Sequence, residues 1–251
     1  MSKPRSRRGG PMHRLARFVP LLGLPLVLGG CLMAPASGQS QNIAGLYQLF
    51  VAASAVVLGI VWGLLTWTIL RYRRRGGAED GSEPPQTRDN LPLEVAWTTG
   101  PAILVAVLFF FTVTTLSDIQ ARSPEPTVRL QVSGFQWGWR FEYADEGVSV
   151  VGSGIPGPEI VLPVDEPIEL TITGLDVIHS FYVPAFLAKY DAIPGREYVV
   201  PLTIDEPGVY AGQCAEFCGL YHSQMGFTIR AEPLADYREW IAAQAAGEAA
   251  A

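Results

Sequence analysis

The chain has 251 residues, 49% of them apolar and only 17% charged, against about 25% charged in an average soluble domain; this balance excludes a disordered chain and argues against a wholly soluble one. The net charge of −6 hides a split, with six basic residues and no acid in residues 1–30. Residues 117–251 carry 7 Lys and Arg against 19 Asp and Glu, a local charge of −12 that repels nucleic acid and favours basic partners.

Lys3, Arg5, Arg7, Arg8, Arg14 and Arg17 precede an 11-residue apolar run over 18–28, closed by Gly29, Gly30 and Cys31. As a helix that run would reach ~16 Å, too short for a ~30 Å hydrocarbon core. Residues 1–30 therefore read as a cleaved secretory signal peptide. Its ending, Leu28-Gly29-Gly30-Cys31, resembles a bacterial lipobox, which implies lipidation of Cys31 as the new N-terminus. Ordinary cleavage near Ala34 or Ala36 is the plainer alternative.

After a short outward segment, residues 31–45, two uncharged runs follow. Residues 46–70 make 25 residues and residues 95–116 make 22, about 37 and 33 Å as helices, each enough to span a bilayer. Neither has a polar face, as a core helix at the surface of a soluble domain would. The loop between them, residues 71–94, holds Arg71, Arg73, Arg74, Arg75 and Arg88. The positive-inside bias makes that loop cytoplasmic and puts both flanks outside, in agreement with a secretory signal.

Residues 117–233 change texture to short β-branched runs broken by Pro and Gly: 127–132, 136–143, 159–162, 168–173, 197–204, 208–213 and 226–231. Their spacing predicts an antiparallel sandwich or barrel. Phe135, Trp137, Trp139, Phe141 and Tyr143 alternate at period two, which on one regular strand puts five rings on one face. The tail, residues 234–251, opens with a short amphipathic helix over 234–243 and ends in a frayed Ala-rich stretch.

Chemistry concentrates in one loop. Cys214, Cys218, His222 and Met225 fall within 12 residues, and His179 is the only other histidine after residue 13. Thiolate and thioether are soft donors and imidazole is borderline, a set that suits copper. Zinc would accept two Cys and two His but leaves Met225 without a role. A Cys214–Cys218 disulfide is the alternative in an oxidising compartment. A single blue-copper ion needs one Cys, two His and a Met, so a thiol is left over. Two bridging thiolates would instead hold two metals, each with one imidazole, and leave no position open for a substrate.

The loop Cys-x-Glu-x-Cys-x3-His-x2-Met, with Asp176-Val-Ile-His179-Ser, Asp191-Ala-Ile-Pro-Gly-Arg196 and Gln136-Trp137-Gly-Trp139, resembles subunit II of haem–copper cytochrome c oxidases over roughly residues 42–231. The resemblance implies two transmembrane α-helices plus an all-β cupredoxin-like barrel or sandwich that carries a binuclear copper A centre. Cys214 and Cys218 then match the bridging thiolates, His179 and His222 the imidazole ligands, Met225 the weak ligand and Glu216 the backbone-oxygen ligand. The Glu216 side chain would face a magnesium ion shared with subunit I. Trp137 matches the tryptophan that takes electrons from cytochrome c, the other four rings being core. Gly138 stands where members often carry an aromatic residue. Glu142 aligns with an acidic docking position. Glu94, otherwise a charge favoured by the helix dipole, matches the glutamate at the mouth of the K proton pathway.

No Cys-x-x-Cys-His occurs, so no c-type haem is expected on this chain, and the donor is an external cytochrome c or membrane-bound c-type cytochrome. Haem, dioxygen chemistry and proton pumping belong by the same resemblance to subunit I, with subunit III beside it. A copper-delivery protein, a nitrous-oxide-reductase-like domain and a disulfide-bearing structural subunit are the rival readings.

Overall fold

The computed structural model describes residues 34–73, 86 and 88–248; the signal segment with Cys31, Arg74 and Arg75, most of the loop after them and the last three residues lie outside the described residues. Two long helices come first. Helix α1, Gly38–Arg71, starts at a capping box in which the side chains of Ser37 and Ser40 each accept a hydrogen bond from the other's backbone N–H, closing a helix end that would otherwise leave donors orphaned. Helix α2, Leu91–Ile119, is capped by Asn90 and has Pro92 in its first turn, where proline's missing N–H costs nothing.

Both helices are long and apolar enough to cross a membrane. Their large apolar side chains, among them Leu58, Ile60, Trp62, Leu65, Ile103, Val105 and Phe109, are exposed, an arrangement that suits lipid rather than water. The helices overrun the uncharged stretches. Residues 38–45 continue α1 past the apolar run, where Ser40 and Ala44 are buried. Gln41 donates to Asp205 at 2.7 Å, and Ala36 exchanges backbone bonds with Ala185 and Asp205. The apolar run marked the length that suits lipid, while the helix continues until its caps.

The β domain has ten strands: β1 Val128–Phe135, β2 Gly138–Tyr143, β3 Val148–Ser153, β4 Glu159–Pro163, β5 Ile168–Gly174, β6 His179–Val183, β7 Ala188–Ala192, β8 Tyr198–Leu202, β9 Gly208–Cys214 and β10 Gly226–Glu232. They form two five-stranded sheets, ordered β3-β2-β1-β5-β8 and β4-β10-β9-β6-β7. Pairing is mixed, not purely antiparallel, because β1 and β5 run parallel, as do β4 and β10. Parallel neighbours need long connections, and here the chain crosses between the sheets to make them.

The strand expected over 136–143 is β2, which starts two residues later, at Gly138; Phe135 to Tyr143 do not lie on one strand. A turn at Gln136-Trp137 separates β1 from β2, and Phe135 pairs with Gly138 across it. Only Trp139, Phe141 and Tyr143 are fully buried, whereas Phe135 and Trp137 sit at the turn and are partly exposed. The period-two reading failed there because the chain reverses midway. Trp139, Phe141, Phe181 and Phe227 interlock in the core, with Phe181 stacked on Phe227 at 4.8 Å. The Tyr143 hydroxyl joins the sheets, donating to the Val161 carbonyl at 2.8 Å and accepting from its N–H at 3.1 Å. Helix α3, Leu234–Glu248, extends beyond the expected 234–243 and buries Tyr237 and Ile241 over this end of the core.

Candidate metal centre

His179 opens β6 and is fully buried. Glycine at 134 makes room for it, since a Cβ there would lie 2.9 Å from both Cβ and Cγ of His179. Nε2 of the ring donates to Asp176 Oδ1 at 2.8 Å, which leaves Nδ1 buried without a hydrogen-bond partner. A buried imidazole nitrogen held free while its other nitrogen is fixed by a carboxylate has the arrangement of a metal ligand.

Cys214 closes β9, its N–H bonded to the Met225 carbonyl at 2.9 Å, and the next N–H, of Ala215, reaches Ser180. These bonds fasten the β9–β10 loop at both ends beside β6. Within it the Cys214 and Cys218 sulfurs lie 3.9 Å apart, far beyond the ~2.05 Å of a disulfide, and both are free thiols. Cys218 Sγ is 3.6 Å from His222 Nδ1 and 3.8 Å from Met225 Sδ, and Cys214 Sγ is 3.3 Å from the Glu216 carbonyl oxygen. The ligating atoms of His179, Cys214 and Cys218 all lie within 4.8 Å of one another. Soft sulfur donors, borderline nitrogens and one carbonyl fit copper.

Electrostatics divide the thiols. Burial raises the Cys214 pKa, but the neighbouring His179 ring, the Glu216 and Ser180 backbone and His222 outweigh it and hold the thiol below its ordinary range. Cys218 is pushed up by burial and then by the Cys214 charge. Burial lowers the affinity of His179 for a proton, yet the nearby Cys214 sulfur and the bond to Asp176 raise the pKa overall. A positive ion between the thiols would relieve this crowding of negative charge.

The expected residues Cys214, Cys218, His179, His222, Met225 and the Glu216 carbonyl thus come together, and Trp137 joins them: its indole N–H donates to the Cys218 carbonyl at 3.2 Å. The Glu216 carboxylate turns away to Lys189 Nζ at 3.1 Å, which also holds Asp191 at 2.7 Å. Glu94 lies apart, in the first turn of α2, where it accepts the Asn90 N–H at 3.3 Å. Sequence reasoning gave no role to Gln136, Lys189 or Gly134, nor to the carboxylate of Asp176. An acid three residues before a ligand histidine is the one signal that was available.

A family model described as "Cytochrome C oxidase subunit II, periplasmic domain" matches residues 157–232. The chain is similar to a probable cytochrome c oxidase subunit 2 of Streptomyces coelicolor, 32% identical over 84% of this chain and 75% of that protein. It is 34% identical to cytochrome c oxidase subunit 2 of Alkalihalophilus pseudofirmus over 90% of this chain and 67% of that one. Among solved structures, the periplasmic domain of subunit II of cytochrome oxidase (CoxB) of Bradyrhizobium japonicum is 32% identical, covering 48% of this chain and 95% of its own, with a TM-score of 0.46. The chain belongs to the cytochrome c oxidase subunit II family, the copper A-bearing component of haem–copper oxidases.

Proposed function

We propose that this chain is the electron-accepting subunit of a respiratory oxidase. It takes electrons from cytochrome c, or a membrane-bound c-type cytochrome, and hands them to the haem–copper centres of subunit I, where dioxygen is reduced to water and protons are pumped. The observation that carries the reading is the pair of unbonded thiols, 3.9 Å apart, with an imidazole Nδ1, a thioether and a backbone oxygen around them and a second imidazole whose Nδ1 has no other partner.

In this reading Cys214, Cys218, His179, His222, Met225 and the Glu216 carbonyl would hold the copper pair. When bound, it would supply one-electron exchange. The rest is done by the chain. The Asp176 carboxylate holds the His179 tautomer. Core packing around Trp139, whose ring lies 6.3 Å from that of His179, keeps water from the ring and limits movement of the ligands, so reorganisation stays small. Trp137 receives the electron at the surface, one hydrogen bond from a thiolate-bearing residue. The local charge of −12 over residues 117–251, with Glu142 on the docking face, steers a basic donor, an effect that salt weakens.

Phe217 and Leu220 are exposed on the ligand loop, as are Leu175 and Ile178 on the loop before His179. This apolar rim supports docking on subunit I, and the outward Glu216 carboxylate suits a magnesium ion shared there. Glu94, at the end of α2 away from the β domain, would serve the mouth of the proton pathway. The arginine-bearing loop is cytoplasmic in this reading, the copper domain is outside, and Cys31 adds a lipid anchor. The test is copper analysis and electron paramagnetic resonance of the full chain in detergent. Two coppers per chain with a delocalised mixed-valence signal are expected; one copper with a mononuclear signal would overturn the proposal.

A further inference from the structure

We propose that Gln136 is a positioning residue for electron uptake, a staple that fixes Trp137 against the ligand loop; the inference rests on the reading of Trp137 as the accepting residue. Gln136 is fastened at both ends. Its backbone N–H donates to Asp176 Oδ2 at 2.7 Å, and its side-chain Nε2 donates to the Cys218 carbonyl at 2.8 Å. The other oxygen of Asp176 holds His179. One residue of the β1–β2 turn therefore ties that turn to both loops that carry the sulfur and imidazole donors.

The Cys218 carbonyl takes two donors, Gln136 at 2.8 Å and the Trp137 indole at 3.2 Å. The glutamine bond is the shorter, so it anchors the carbonyl on which the indole rests. On the side of the ligand loop the pair is close-packed. Gly219 has φ +120°, and a Cβ there would stand 3.2 Å from Trp137 Cζ2 and 3.3 Å from Gln136 Nε2. Tyr221 meets the indole edge-on at 5.1 Å. Gln136 is an exposed residue whose amide nevertheless bonds inward to backbone, whereas a side chain that served donor docking would keep its amide for the partner. Without the amide the turn keeps only the longer indole bond to this loop, and the ring is free to shift relative to Cys218. Tunnelling between donor and acceptor is steep in distance, so such a shift slows transfer without changing what binds.

The experiment compares the assembled oxidase with its Gln136→Leu, Gln136→Glu and Trp137→Phe forms. Each is mixed with reduced cytochrome c at low ionic strength, and donor affinity is measured separately from the transfer rate inside the bound complex. Copper content and the paramagnetic resonance signal are recorded for each. Both Gln136 variants should keep copper, signal and donor affinity while the bound-complex rate falls about tenfold to a hundredfold, the scale of a ~1 Å misplacement. A rate unchanged in both, or a loss confined to donor affinity, would overturn the proposal. So would loss of copper in both, since the staple would then hold the ligand loops and not the indole. If Trp137→Phe alone transfers at the parent rate, the accepting role of Trp137 fails first, and the two failures are distinguishable.

Discussion

The carboxylate of Asp176 lies 2.8 Å from Nε2 of His179 and leaves Nδ1 of a fully buried ring without a protein partner. Orientation and tautomer of this imidazole are set by a residue that is itself partly exposed. Asp176→Ala should therefore lower copper affinity about tenfold to a hundredfold, the usual cost of losing a carboxylate behind a ligand histidine, with the fold retained. Asp176→Asn keeps an acceptor and should recover most of the loss. Competition against a chelator of known affinity measures both; parent-like affinity in the alanine form would rule out this role.

Gly134 offers a sharper probe of the same ring, because an added Cβ would press on His179 Cβ, Cγ and Cδ2 at 2.9 to 3.0 Å. His179 lies in the core and cannot swing clear, so Gly134→Ala is an overpacking change of about 1–3 kcal/mol. Much of that strain falls on the ligand. The expected result is a domain with native circular dichroism but less copper and an altered resonance signal. Full copper content with an unchanged spectrum would show that the backbone of β1 gives way instead.

Much of this site was legible in sequence because sulfur and imidazole donors at Cys214, Cys218, His222 and Met225 fall inside one loop, and a loop closed at both ends cannot separate them far. His179 was found by the scarcity of histidine and by the Asp176-Val-Ile-His179-Ser motif. What escaped were the backbone contacts of the β1–β2 turn: the turn at Gln136-Trp137, its bond to Asp176 and the Cys218 carbonyl as a double acceptor. A period-two aromatic pattern carries no mark of a chain reversal. Strands β3, β6 and β7 were missed for related reasons. β3 and β7 lie at sheet edges with half-exposed, small or charged residues, and β6 begins with a histidine that reads as a loop ligand. Gly138 is explained only in three dimensions. A Cβ there would meet the Gly152 carbonyl at 2.4 Å and the Phe135 ring at 2.8 Å, so no larger side chain has room at 138.

Ser37 joins the first helix to the barrel. It is fully buried, bridges Ile204 and caps α1. Ser37→Ala removes the cap for about 1 kcal/mol, and it leaves the Ser40 N–H without its partner. Thermal unfolding of the full chain in detergent should show a lower midpoint for the β domain and unchanged copper content. An unaltered midpoint would mean that the Ala36 backbone bonds alone hold this seam.

Tyr143 contributes to the alkaline decline of the domain's stability. Its hydroxyl bonds both polar groups of Val161 across the two sheets, and burial raises its pKa far above the ordinary 10.0. The folded state keeps the proton while the unfolded state loses it above pH 10, so the neutral hydroxyl contributes fully below pH 10. Above that, stability falls by about 1.4 kcal/mol per pH unit. Tyr143→Phe leaves the Val161 N–H and carbonyl buried and unpaired, at a cost of about 1–3 kcal/mol near neutral pH. It also removes this residue's share of the alkaline decline. Tyr190 and Tyr237 are raised by burial too, so the slope of the variant becomes shallower without vanishing. Denaturant unfolding at pH 7, 10 and 11 separates the two effects: the parent and variant curves should converge as pH rises, and parallel curves would show that the Tyr143 proton is not what the alkaline transition removes.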